Sequence, residues 1–131
     1  MLDTNICIYL TKNAHLGIRN RLDELVMGEV GMSVITYGEL WYGAQKSNNK
    51  SKTQLLLEEL ASFIVPLPLS TLVGSHYGEI RAQLSAIGKP IGNNDLWIAA
   101  HALSLDITLV TNNKKEFCRV PNLKLENWVS D

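Results

Sequence analysis

Cysteine is nearly absent. The two in 131 residues, Cys7 and Cys118, have neither CxxC spacing nor a nearby ligand histidine, which argues against a structural zinc site. Nothing in this usage calls for an oxidising compartment. Histidine is as scarce: positions 15, 76 and 101 are scattered, with no pair at ligand spacing. Aromatic residues are 7% of the chain, so the core must come mainly from Leu, Ile, Val and Ala. No apolar run approaches the roughly 18 residues of a membrane-spanning helix. The N-terminus lacks a basic stretch followed by a long apolar one, so no signal peptide is expected and the cytoplasm is the default location. Charge of one sign is lacking too, with 12 Lys and Arg against 13 Asp and Glu. A protein that holds nucleic acid by diffuse attraction is usually basic, so any such contact here must be local. Lys46, Lys50 and Lys52 form one basic group and Lys114, Lys115 and Arg119 another, although each is also an ordinary solvated side chain. The GxSxG, Walker A and dinucleotide fingerprints are missing.

What is present is an ordinary globular balance, 46% hydrophobic and 19% charged, in a length that suits one domain over residues 1–131. Short apolar segments alternate with helical ones. "MLDT" reads as a buried strand turning into the helix "NICIYL". A second helix is expected over 16–27, broken by Gly28. "VGMSVI" is a strand, "TYGELWYGAQK" and "KTQLLLEELASF" are helices, and "IVPLPL" is an edge strand at best because of Pro66 and Pro68. Residues 70–87 form a long helix with Leu72, Val73, Tyr77, Ile80 and Leu84 on one side. A connector with Gly88, Pro90 and Gly92 leads to a helix over 95–105, then the strand "ITLVT" and a short final strand in "LKLENW". Helices between short apolar strands predict an α/β fold with a parallel sheet covered on both faces. Such folds place ligands beyond the carboxyl ends of the strands.

Three carboxylates fall at that edge. Asp3 ends the first strand, Glu39 lies one turn beyond the second, and Asp95 opens a helix. Ile98, Ala99 and Ala102 share the face of Asp95, so it projects from the top of an inward stripe. Acids beside a core need a partner, and three together point to a hard divalent cation and phosphate chemistry. Each also has a plainer reading. Asp3 fits a helix cap, Thr36 and Glu39 fit a capping box, and Asp95 suits a helix N-terminus. After "ITLVT", Asn112 and Asn113 offer neutral oxygens, and Asn113 with Glu116 also fits a cap.

"MLDTNICIYL", "SVITYGELWYGA", "KPIGNNDLWIAAHAL" and "LVTNNKKEFCRV", in this order, resemble the VapC toxins of the PIN-domain family, in particular the subgroup acting on initiator tRNA. The resemblance covers residues 2–128. It implies a PIN-like three-layer α/β/α sandwich with a short, mostly parallel sheet. It also implies a divalent-metal-dependent endoribonuclease, using Mg²⁺ with Mn²⁺ as the alternative, neutralised by a cognate VapB antitoxin. Asp3, Glu39 and Asp95 then become the metal-binding and catalytic acids. Many PIN domains carry a fourth acid where this chain has Asn113, and Glu116 is the carboxylate that could replace it. Thr4 and Thr111, with the adjacent Asn5 and Asn112, are the candidates to hold the acids by hydrogen bonds.

The resemblance further implies a groove for the antitoxin, made by the first two helices and the helix after Thr36, with Tyr9, Leu10, Trp41 and Tyr42 as candidate contacts. It implies a homodimer as well, for which the 70–87 stripe and Trp97 are the candidate surfaces. Two other classes remain open on the residues alone. One is a non-catalytic RNA- or protein-binding module whose acids are caps. The other is a DNA-directed metal nuclease of the same fold.

Overall fold

The computed structural model describes residues 1–129. Its sheet is parallel and very short. Strands β1 (Gly31–Ser33) and β2 (Val65–Leu67) pair on one side, and β3 (Leu109–Val110) and β4 (Leu125–Glu126) on the other. Leu2 joins the halves through parallel bridges to Met32 and Val110, giving the order β2, β1, Leu2, β3, β4. The expected N-terminal strand thus shrinks to one bridging residue. Helix capping is the reason. Asp3 caps α1 (Thr4–Lys12) and Ser33 caps α3 (Val34–Lys46), so the chain turns helical one residue past each sheet contact. Ser33, not Thr36, is therefore the cap of α3, and the expected capping box does not form.

β2 lies at the edge, as its prolines require, with Pro66 opposite Met32. Gly31 permits that pairing, because a Cβ there would meet the Val65 carbonyl at 3.0 Å. Side chains alternate across the sheet. Met1 and Leu109 face α5 (Thr71–Ala86) and α6 (Asn93–Leu105), while Leu2, Met32 and Val110 face α1, α2 (Leu16–Asp23) and α4 (Lys50–Phe63). This is the three-layer α/β/α sandwich. α2 ends at Asp23, short of the expected 27, and the turns after it reach Gly28 at φ +98°. Among the described residues no helix is long and apolar enough to cross a membrane.

The stripe on α5 is mostly spent inside the chain. Val73, Ile80 and Leu84 are buried against α6, and Tyr77 stacks on Trp97 with ring centroids 3.8 Å apart. Leu72 and Ile87 remain exposed.

Candidate active site

The first acid is set by the sheet. The Asp3 N–H donates to the Val110 carbonyl at 3.0 Å, which pins its backbone beside β3. Its Oδ1 accepts the Ile6 N–H at 3.0 Å, so Asp3 does cap α1. Thr111, at the end of β3, also holds the carboxylate. The side chain is 5% exposed. Burial pushes its pKa up, the Thr111 and Ile6 hydrogen bonds oppose that, and nearby Glu39 adds to it. A cap needs only one oxygen, so the capping and functional readings of Asp3 are compatible.

Glu39 rides on the second turn of α3. Thr4 Oγ1, on the first turn of α1, donates to its Oε1 at 2.6 Å, and a second contact from Thr4 reaches the buried Thr36 hydroxyl at 3.3 Å. Asp95 sits in the first turn of α6, with Ile98, Ala99 and Ala102 buried beneath it. Gly92 precedes it, and a Cβ there would lie 3.7 Å from Asp95 Oδ2. The carboxyl of Asp95 is pushed up to about 6, first by burial and then by the charges of Glu116, Glu39 and Asp3. Asp95 therefore lies in the field of the other three acids, and Asp3 in that of Glu39.

Glu116, on the short helix α7 (Lys114–Phe117), is the fourth carboxylate of this field. Asn113 donates its side-chain amide to Glu116 Oε2, while its backbone N–H bonds to Thr111 Oγ1 at 2.9 Å. Asn113 thus holds an acid in place. Asn112 turns away, accepting from Asn127 at 3.1 Å, and the Asn5 side chain is exposed. Lys114 and Lys115 are exposed on α7 beside the acids.

The acids do not form a ready-made ligand set. Among the described residues, no three His, Cys, Asp or Glu side chains group closely enough to hold a metal ion. The physical reason is local. Asp3 is tied to Ile6 and Thr111, Glu39 to Thr4 and Glu116 to Asn113, and like charges keep such groups apart. No described ion pair involves them either, since those are Arg21–Glu126 and Lys124–Asp106. Oxygen donors with uncompensated negative charge suit a hard divalent cation.

Of the expected partner contacts, Tyr9 packs edge-on to His15, Trp41 packs edge-on to Tyr37, and Tyr42 is exposed under Lys46. A groove of about 730 Å³ runs between α1, α2 and α4. Leu10 lines it, with Leu22, Leu25, Met27, Leu60 and Phe63. The α4 wall escaped the sequence reading because "QLLLEELASF" carries more apolar residues than the core takes, and Phe63 stays exposed.

Residues 1–123 match the PIN domain. Ribonuclease VapC2 of Rickettsia felis is 44% identical over 129 residues, 98% of this chain and 96% of that protein. The chain belongs to the VapC family of PIN-domain proteins. Another relative, the tRNA(fMet)-specific endonuclease VapC of Shigella flexneri, is 41% identical over 128 residues, again 98% of this chain and 96% of that one. Among solved structures, VapBC2 from Rickettsia felis bound to a DNA fragment from their promoter contains a chain that matches with a TM-score of 0.92. Its identity is 43%, and the match covers 98% of this chain and 97% of that one.

Proposed function

We propose that this VapC-family chain is a Mg²⁺-dependent endoribonuclease, the toxin of a toxin–antitoxin pair, which cuts initiator tRNA in the anticodon stem-loop. The observation that carries the reading is the shared field of the four carboxylates. Asp95 is raised to about 6 first by burial and then by the charges of Glu116, Glu39 and Asp3, with no lysine or arginine paired to any of these acids among the described residues. A divalent ion on Asp3, Glu39 and Asp95 would polarise the phosphodiester and acidify a water.

The chain's own residues do the rest. Thr4 and Thr111 orient the ligating acids, and Asn113 holds Glu116 as the fourth charge. Asp95 or Glu39 orients the attacking water, and Lys114 and Lys115 meet the RNA backbone. Hydrolysis leaves 5′-phosphate and 3′-hydroxyl ends. The initiator-tRNA preference is supported by the Shigella flexneri relative.

The proposed partner in the α1–α2–α4 groove is a VapB antitoxin, whose apolar anchors would cover Leu25, Met27 and Phe63. A second copy of the chain is the partner proposed for Leu72 and Ile87. The test is cleavage of purified initiator and elongator tRNAs with Mg²⁺ or chelator. Cuts confined to the initiator anticodon stem-loop, lost with chelator, support the reading, and metal-independent cleavage or none overturns it.

A further inference from the structure

Asp3 is anchored by the sheet, but Glu39 and Asp95 ride on separate helices, so their spacing depends on how α3 sits against α6. One polar contact joins those helices inside the core. His101, 1% exposed, brings Nδ1 to 2.8 Å from Oγ of Ser33, which is 0% exposed. Ser33 is the cap of α3, and its Oγ already accepts the Ile35 N–H at 3.1 Å. With the Pro68 carbonyl taking a ring N–H, the arrangement that satisfies both partners has the Ser33 hydroxyl donating to Nδ1. That places the ring hydrogen on Nε2, in a neutral imidazole. Burial favours the same state, lowering the pKa of His101.

His101 lies six residues after Asp95 on α6, and Ser33 lies six before Glu39 on α3, about 9 Å along each helix. We infer that His101 is a positioning residue of the acid cluster, a neutral imidazole that pins the cap of α3 to α6 and so sets the distance between Glu39 and Asp95. This rests on the ribonuclease reading above. An apolar side chain of similar size would fill the space but give it no direction. A hydrogen bond fixes both the rotation and the height of α3. The backbone carbonyl of Pro68 is a further partner of the ring, so His101 is held from the β2 side as well.

The experiment compares wild type with His101→Leu, His101→Asn and Ser33→Ala. The readouts are melting temperature, Mn²⁺ affinity, and kcat and KM for cleavage of initiator tRNA. His101→Leu is expected to melt at or above the wild-type temperature, yet to lose roughly tenfold or more in kcat and in Mn²⁺ affinity, with KM little changed. His101→Asn, whose amide oxygen can accept from Ser33, is expected to recover most of that loss. Ser33→Ala is expected to lower kcat as His101→Leu does, so the inference stays testable if the leucine variant does not fold. Folded His101→Leu or Ser33→Ala protein with wild-type kcat and Mn²⁺ affinity overturns the positioning role alone. A wild-type protein that neither binds Mn²⁺ nor cleaves RNA overturns the ribonuclease reading with it.

Discussion

Thr4 donates a 2.6 Å hydrogen bond to Oε1 of Glu39, from the first turn of α1 to the second turn of α3. The bond ties Glu39 to the helix that Asp3 caps, so two acids from distant parts of the chain share one support. Thr4→Val keeps the size of the side chain and removes the donor. It is expected to lower kcat roughly tenfold, with Thr4→Ser close to wild type. Wild-type rates in the valine variant, measured on an RNA substrate, would remove Thr4 from the account.

The acid field has a pH signature. Asp95 is raised from 3.8 to about 6 in the folded chain, so the folded state binds its proton more tightly than the unfolded state does. Its favourable contribution is complete below about pH 4 and is lost as pH rises through 6. Asp95→Asn removes this penalty. In metal-free buffer the variant should therefore melt above wild type by a margin that is larger at pH 8 than at pH 5. Mg²⁺ should raise the wild-type melting temperature more at pH 7.5 than at pH 5, where Asp95 holds a proton. His101 acts oppositely, since its lowered pKa takes stability away as pH falls below about 6.5, so the comparison with the variant is what isolates Asp95. Scanning calorimetry across pH reads both, and a pH-independent margin would contradict the coupled field.

The groove between α1, α2 and α4 gives a binding prediction. Phe63 is 55% exposed on its wall, so Phe63→Asp should leave the melting temperature within a few degrees of wild type. It should weaken VapB binding tenfold or more, because a charge would enter an apolar contact. Tyr42→Ala, outside the groove, should bind as wild type does. Titration calorimetry with the antitoxin decides, and equal affinities for wild type and Phe63→Asp would place the partner elsewhere.

Much of this was legible locally. The inward stripe below Asp95 and the edge position forced by Pro66 both depend on residues a few positions apart, whereas Asn113 does not cap α7 with its side chain as its spacing to Glu116 suggested. What depended on the third dimension was not. Ser33 and Thr36 are both good caps three residues apart, and only the point where β1 ends chooses Ser33. The Ser33–His101 contact spans 68 residues and leaves no periodic trace. Sequence placed the three acids on one edge, but the hydrogen bonds that hold each to its own donor, and so keep them from a closed ligand set, appear only in the fold.

The central claim is that the acid cluster is a metal-dependent ribonuclease site, and Asp3→Asn tests it most directly. Asparagine is also a good cap, so the variant keeps the bond to Ile6 while losing the charge. Removing a buried carboxylate beside Glu39 should leave the metal-free protein as stable as wild type or more so. The measurement is cleavage of initiator tRNA in Mg²⁺ by wild type and Asp3→Asn at equal concentration, with melting curves for both. The account predicts cleavage by wild type, none by the variant, and a melting temperature that does not fall. Full cleavage by a folded Asp3→Asn protein would contradict it.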